Sequence, residues 1–176
     1  MKSKVIMIAG LAVATAMGGA AVAGDSKVGA ECFAPMSAYS EGMPAVQGYD
    51  GLTPEKRIVE TTMVFRKALA AAEEAQACYE DAIALTDDSE ELAALQAGAE
   101  KSNSIFAQVQ TDFGAKLDEM SGDVLTDMAP AAGPETQAAA EEQSVAGMEL
   151  LFDSYMALER SQEVNKRFAQ AVRKPE

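Results

Sequence analysis

The sequence has no histidine and no tryptophan, and it has only two cysteines in 176 residues. Without histidine, no imidazole can act as a general base, as the partner of a serine or cysteine nucleophile, or as a ligand of zinc or haem. A ferritin-like carboxylate metal site is also disfavoured, because such a site normally includes a Glu-x-x-His motif. No remaining motif carries a catalytic or cofactor signature. We therefore expect a protein that is not an enzyme and has no cofactor.

Basic residues are scarce as well. The chain has 14 Lys and Arg against 28 Asp and Glu, which gives a formal net charge of −14. Loss of the first 23 residues would remove Lys2 and Lys4, leaving 12 basic and 28 acidic residues and a net charge of −16. A surface of this charge repels nucleic acid and anionic membranes and suits cationic partners. We expect no nucleic-acid partner.

Residues 1–23 have the three parts of a secretory signal peptide. Lys2 and Lys4 form a basic start, residues 5–17 form an apolar core, and residues 21–23 provide the small-residue cleavage pattern. We expect cleavage near Ala23 and a periplasmic or secreted protein. The alternative is an uncleaved membrane anchor, for which the apolar core is short. No second apolar run could cross a bilayer, so the mature chain is expected to have no transmembrane span.

Residues 53–176 predict a bundle of long helices. The first helix is expected over residues 54–86, because Thr53 is a good N-cap and Pro54 suits the first helical position. The second is expected over residues 90–121, with Ser89 as its N-cap. Both carry apolar residues at alternating steps of three and four, the spacing typical of amphipathic and coiled-coil helices.

The end of the second helix is open in the sequence. Gly122 either stops that helix or is passed, in which case the helix runs to about residue 128. A linker containing Pro and Gly, residues 129–134, separates it from a third helix expected over residues 135–173. Three long helices with short connections pack antiparallel, up-down-up. The predicted fold is all-α: an antiparallel up-down bundle of three long helices plus an N-terminal arm or short helix.

Residues 24–52 form that N-terminal arm, with a short helix expected around residues 28–40. Cys32 lies 21 residues before Thr53, and Cys78 lies 25 residues after it. If the chain turns back near Thr53, the two cysteines meet, and an oxidising compartment favours a disulfide between them. A bridge closing such a loop stabilises by about 4 kcal/mol on the chain-entropy model. The alternative is a pair of unrelated buried thiols, and for the arm itself a disordered leader.

The third predicted helix carries one long apolar stripe that we expect to face inward. Four polar residues on the stripes of the three helices are the weak candidates for a small-ligand site: Gln76, Ser102, Tyr155 and Gln162. Polar residues at such positions more often set helix register. The stripe of the third helix consists of Val145, Met148, Phe152, Tyr155, Leu158, Gln162, Phe168 and Val172.

The turn between the first two helices is acidic and gives a weak candidate for a divalent-cation site, formed by Asp87, Asp88, Glu90 and Glu91. The spacing matches no calcium-binding loop. The alternative is charge complementarity within the bundle, since the antiparallel topology brings this turn to the same end as Arg160, Lys166, Arg167, Arg173 and Lys174. At the opposite end, Lys56 and Arg57 would face Asp118, Glu119, Asp123 and Asp127.

The predicted bundle has a large helical surface and no cluster of side chains with a catalytic pattern. The leading hypothesis is a secreted or periplasmic helical-bundle binding or scaffold protein of the cell envelope, non-catalytic, that meets a protein partner or itself through its helix faces. The alternative hypothesis is a helical bundle that binds a small ligand or a divalent cation.

Overall fold

The computed structural model describes residues 26–127 and 134–173, and within these the side chains of residues 26–124 and 145–173. The described part contains four α-helices and one short 3₁₀ turn, and no strand. The elements are α1 (Lys27–Ser37), the 3₁₀ turn (Tyr49–Gly51), α2 (Pro54–Leu85), α3 (Ser89–Asp127) and α4 (Pro134–Ala171). The expected signal peptide and most of the expected linker, residues 129–133, lie outside the described residues.

The three long helices pack against one another, and α1 packs on α2 and α3. Hydrogen bonds between α3 and α4 give the direction: Gln110 Nε2 donates to Ser161 Oγ (2.7 Å), and Gln96 Nε2 donates to the carbonyl oxygen of Val172 (2.9 Å). The residue number falls along α4 as it rises along α3, so these helices run antiparallel. The predicted all-α, up-down bundle with an N-terminal short helix is confirmed.

The helix ends follow local chemistry. Thr53 Oγ1 accepts from the backbone N–H of Lys56, so it caps α2 as expected. The cap of α3 is Asp88 rather than Ser89: Asp88 Oδ1 accepts from the backbone N–H groups of Glu90 (2.8 Å) and Glu91 (2.9 Å). One carboxylate oxygen satisfies two of the free donors of the first turn, and its charge complements the helix dipole.

The end of α3 shows tertiary packing outweighing local propensity. The helix continues through Gly122 to Asp127, beyond the end at residue 121 that its glycine suggests. Met120 and Val124 on either side of Gly122 are buried in the core. Their burial, at about 1.5–3 kcal/mol for each large apolar side chain, exceeds the roughly 1 kcal/mol that a helical glycine costs.

An aromatic stack lies at the centre of the bundle. The Phe65 ring on α2 lies parallel to the Phe113 ring on α3 with their centroids 4.0 Å apart, and Phe106 lies 6.4 Å from Phe65. All three rings are fully buried. No helix in the described part of the chain is long and apolar enough to cross a membrane.

The disulfide between Cys32 and Cys78 is present, with Cα atoms 5.3 Å apart and a separation of 46 positions in the sequence. It joins α1 to α2 from inside the core, since Cys32 and the neighbouring Met36 are both fully buried. Tyr79 Oη adds a second tie by donating to the carbonyl oxygen of Gly29 (3.3 Å). The predicted bridge is therefore confirmed, and such a bond fits a secreted protein.

The disulfide gives the first testable prediction. The double variant Cys32→Ala/Cys78→Ala should unfold with a free energy about 4 kcal/mol lower than the native chain, because its unfolded state is no longer constrained. Urea denaturation followed by circular dichroism measures this. A reducing agent should lower the midpoint of the native chain and leave the variant unchanged. Two free thiols in the untreated protein would contradict the bridge.

A second prediction comes from the close contact of α2 with α3 at Gly98. A Cβ atom added there would lie 2.7 Å from Tyr79 Oη and 3.0 Å from Cε1, and this ring is fully buried and cannot move aside. Gly98→Ala should therefore destabilise by about 1–2 kcal/mol despite its better helix propensity. Gly122→Ala is the matched control, because its Cβ would meet nothing within 4 Å. It should stabilise by up to about 1 kcal/mol, and equal effects of the two in thermal melts would refute this explanation.

Candidate functional site

The four polar residues expected to face inward do not form one site. Gln76 and Ser102 are buried as expected, and the Gln76 amide donates to Glu80. Tyr155 and Gln162 are exposed, so the prediction that they face inward is wrong. Tyr155 Oη donates to Asp118 Oδ1 (2.9 Å) at the outer edge of the α3–α4 contact. Partial burial and this carboxylate raise the pKa of the Tyr155 phenol.

The inward face of α4 differs from the predicted one. The stripe expected inside has its first four members, Val145, Met148, Phe152 and Tyr155, at the surface, and only Phe168 is fully buried. The buried face carries a glycine and two serines among its apolar residues instead. Two of these make interhelical bonds: Ser154 Oγ to Thr62 Oγ1 (2.7 Å) and Ser161 Oγ with Gln110. This face comprises Gly147, Leu151, Ser154, Ser161, Val164 and Phe168.

The exposed residues Val145, Met148, Phe152 and Tyr155 form what we call the α4 stripe. Their exposed fractions are 54%, 46%, 66% and 39%, which makes them half of the large apolar side chains that are exposed in the described residues. The positions i, i+3, i+7 and i+10 fall on one face of the helix with the heptad spacing of a coiled-coil seam. Contiguous exposed apolar surface on a helix is typical of an interaction site.

The acidic turn does not assemble the expected cation site. The Asp88 carboxylate caps α3, and Glu91 Oε2 accepts from Thr86 Oγ1 (3.2 Å). Asp87, Asp88 and Glu90 are exposed, and Glu91 is half-buried. Across the described residues, no three His, Cys, Asp or Glu side chains converge in a way that could hold a metal ion. Here the carboxylates serve the helix start.

Charge complementarity inside the bundle is clear at the end opposite that turn. Arg57 Nη1 forms an ion pair with Asp123 Oδ2 (3.0 Å), which joins α2 to α3 as the sequence suggests. At the acidic end, Arg173 lines a cleft with Glu80 and Asp87, but the described residues contain no ion pair between them. Lys174 and the side chain of Asp127 lie outside the described part.

A second surface feature forms where the N-terminal arm crosses α2 and α3. Gly42 has a φ of +95°, which lets the chain turn and places the Met43 backbone N–H 2.9 Å from Asp112 Oδ2 on α3. Asp112 also accepts from Gln108 Nε2 (2.7 Å) through its other oxygen. The segment that follows, residues 43–49, covers a cleft of about 520 Å³, which we call the arm cleft.

Tyr49 closes one side of the arm cleft and is held by two cations. Arg57 lies over its ring (5.1 Å to the centroid), and Lys116 Nζ also lies over the ring (4.8 Å). The Arg57 guanidinium also donates to the carbonyl oxygens of Tyr49 (3.2 Å) and Leu52 (3.1 Å), so this segment is fastened to α2. Lys116 in turn pairs with Glu119 (2.7 Å), and that hydrogen bond raises the pKa of the lysine.

Two hydroxyl groups in the arm cleft have no hydrogen-bond partner. Thr61 is fully buried, and its Oγ1 makes no hydrogen bond; Tyr49 Oη is likewise buried and unpaired. Leaving a buried donor or acceptor unsatisfied costs about 1–3 kcal/mol. Burial raises the pKa of the Tyr49 phenol, with the Glu119 carboxylate adding to the rise and Lys116 and Arg57 opposing it. The phenol is therefore neutral at physiological pH and can donate.

No pattern in the sequence predicts the arm cleft. The sequence does predict Met43 and Tyr49 to be apolar anchors of the arm, and Met43 packs against the core. Thr61, however, stands next to a second threonine on α2, Thr62. Nothing in the sequence distinguishes the two or marks Thr61 as part of a site. The glycine and proline on either side of Met43 mark a turn, but they do not show which helix the turn meets.

The turn at Gly42 generates a third prediction. Gly42→Ala would place a methyl group against the Asp112 carboxylate in a backbone conformation that alanine rarely adopts, so we expect a loss of about 2–3 kcal/mol. Gly48→Ala is the matched control: it has a similar φ of +67° but open space around the added atom, and should cost only about 1 kcal/mol. Urea unfolding measures both. Equal losses would show that the Asp112 contact does not anchor the arm.

Comparison of the chain with family models, with curated proteins and with solved structures finds no match in any of the three. The function of the protein is therefore inferred from its own residues. The α4 stripe is a protruding apolar surface, whereas the arm cleft is concave and holds two unsatisfied hydroxyl groups. These two features lie on different elements and suit ligands of different size.

Proposed function

We propose that this protein is a non-catalytic, helical binding module of the cell envelope, and that it meets a protein partner through the α4 stripe. The observation that carries this proposal is the exposure of Val145, Met148, Phe152 and Tyr155 on one face of a well-packed helix. Each large apolar side chain that a partner covers contributes about 1.5–3 kcal/mol. Four of them in a row are enough to anchor a helix laid along α4.

The charges around the α4 stripe favour a basic partner. Between residues 145 and 159, the charged side chains on α4 are Glu149, Asp153 and Glu159, all exposed, and Asp118 borders the stripe from α3. No Lys or Arg lies in that stretch of α4. An amphipathic helix with an apolar seam flanked by Lys or Arg would be complementary. A second copy of the chain would bring like charges together, which disfavours self-association.

The proposed location rests on two features of the chain. Residues 1–23 have the composition of a signal peptide, and the Cys32–Cys78 bond fits an oxidising compartment outside the cytoplasm. A periplasmic or secreted binding module is consistent with both. The absence of histidine from the whole sequence supports a role in binding rather than in acid–base catalysis.

Site-specific photocrosslinking tests this function. A photoreactive phenylalanine analogue at position 152 should give a discrete crosslinked adduct in envelope preparations of the native host, because that ring would lie inside the interface. The same analogue at Lys67, which is exposed on α2 and therefore lies off the stripe, is the control and should give no such adduct. Mass spectrometry identifies the partner and distinguishes a different protein from a second copy.

The variant Met148→Ser/Phe152→Ser separates binding from folding. Both side chains are exposed, so the free energy of unfolding should change by no more than about 0.5–1 kcal/mol for the pair. Crosslinking from a neighbouring stripe position, Tyr155, should nevertheless fall to background in this variant. An adduct that survives the double substitution, or one that forms equally well at position 67, would refute the α4 stripe as the binding surface.

A further inference from the structure

The arm cleft has the properties of a small-molecule site independently of the α4 stripe. Its volume of about 520 Å³ lies within the range of ligand pockets. The arm contributes an apolar wall that runs from Met43 to Val46, and α3 contributes Ala115 and the aliphatic chain of Lys116. A molecule with an apolar body would be covered on two sides.

The charged groups at the rim of the arm cleft already have partners. The two oxygens of Asp112 accept from Met43 and Gln108, and Lys116 is paired with Glu119. An anion would meet two carboxylates and a lysine that is already neutralised, and a cation would have to displace that lysine. Rim charges thus select against charged ligands.

The unpaired polar groups are both neutral hydroxyls. Thr61 and Tyr49 line the cleft, one from α2 and the other from the arm, and the hydroxyl oxygen of neither has a hydrogen-bond partner. A hydroxyl group can donate and accept, so each one can bind a ligand carbonyl or hydroxyl. Both hydroxyl oxygens are buried, so the cleft wall has to shift outward to admit a ligand oxygen to them.

We propose that the arm cleft binds an uncharged, largely apolar small molecule that carries a carbonyl or hydroxyl group, and that Thr61 and Tyr49 recognise this oxygen. The apolar wall formed by residues 43–46 and Ala115 holds the body of the ligand. The ion pair of Lys116 with Glu119 keeps the rim closed to anions. This site does not require the α4 stripe or its partner.

A fluorescent naphthyl ketone, Prodan, is a suitable probe, because it is uncharged and its emission reports hydrogen bonding to its carbonyl. We expect saturable binding to the full disulfide-bonded chain with one site per molecule. The pair 2-acetylnaphthalene and 2-naphthoate, as competitors, tests the charge selection, since they share a ring and a carbonyl. The ketone should displace Prodan at a concentration at least about tenfold lower than the carboxylate. Stronger competition by the naphthoate would overturn the assignment to uncharged ligands.

Variants of the two hydroxyls test the recognition. Thr61→Val and Tyr49→Phe should each weaken Prodan binding by about five- to tenfold, the usual effect of one lost hydrogen bond. Thr61→Val should melt at the same temperature as the native chain or higher, because the hydroxyl it removes is unsatisfied. Ser102→Ala is the matched control: its hydroxyl is also buried and unpaired but lies outside the cleft. It should leave the affinity unchanged.

A further variant fills the space. Ala115→Leu, at an exposed position lining the cleft, should abolish Prodan binding without lowering the melting temperature, whereas Ala107→Leu on the exposed face of α3 should have no effect. Met148→Ser/Phe152→Ser should also bind Prodan normally, which separates this site from the α4 stripe. Non-saturable binding, or native affinity in Thr61→Val and Tyr49→Phe, would overturn the proposal. So would native affinity in Ala115→Leu.

Discussion

The bond between Cys32 and Cys78 is the constraint on which the N-terminal third of the structure depends. Helix α1 has 11 residues and contains Pro35, and a helix of that length is marginal in water. Held to α2 by the disulfide and buried through Met36, it becomes part of the core. The chain that leaves α1 then has to cross the bundle surface to reach the start of α2 at Pro54. Two later contacts, Asp112 with Met43 and Arg57 with the 49–52 segment, determine its course.

This crossing explains how a simple bundle acquires a concave surface. Three long helices alone bury their apolar faces against one another and leave shallow grooves. The arm spans one such groove and contacts α2 and α3 at its ends, which leaves a partly open cleft between residues 43–49 and the two helices. Thr61 lines this cleft and is fully buried, and its hydroxyl has no hydrogen-bond partner.

The sequence predicts local features well and the relative rotation of helices poorly. Thr53 with Pro54 and the acidic residues after Asp88 mark two helix starts to within one residue, and the similar distances of the cysteines from Thr53 predict their pairing. These signals act within one turn or through chain length. The arm cleft depends on contacts such as that between Met43 and Asp112, which are 69 residues apart and have no periodic signal. The spacing of apolar residues along each helix does not predict such contacts.

The rotation of α4 is the clearest case in which two packings compete. Turning this helix by one residue step, about 100°, would bring Met148 and Phe152 inward and gain about 1.5–3 kcal/mol for each. It would also turn Leu151, Val164 and Phe168 out of the core, at a similar cost for each. The bonds of Ser154 to Thr62 and of Ser161 to Gln110 would be lost as well. The stacked rings of Phe65 and Phe113 already fill the centre at close packing, and small residues let α4 approach where another ring would not fit. The apolar residues left outside are therefore the ones that a partner can cover.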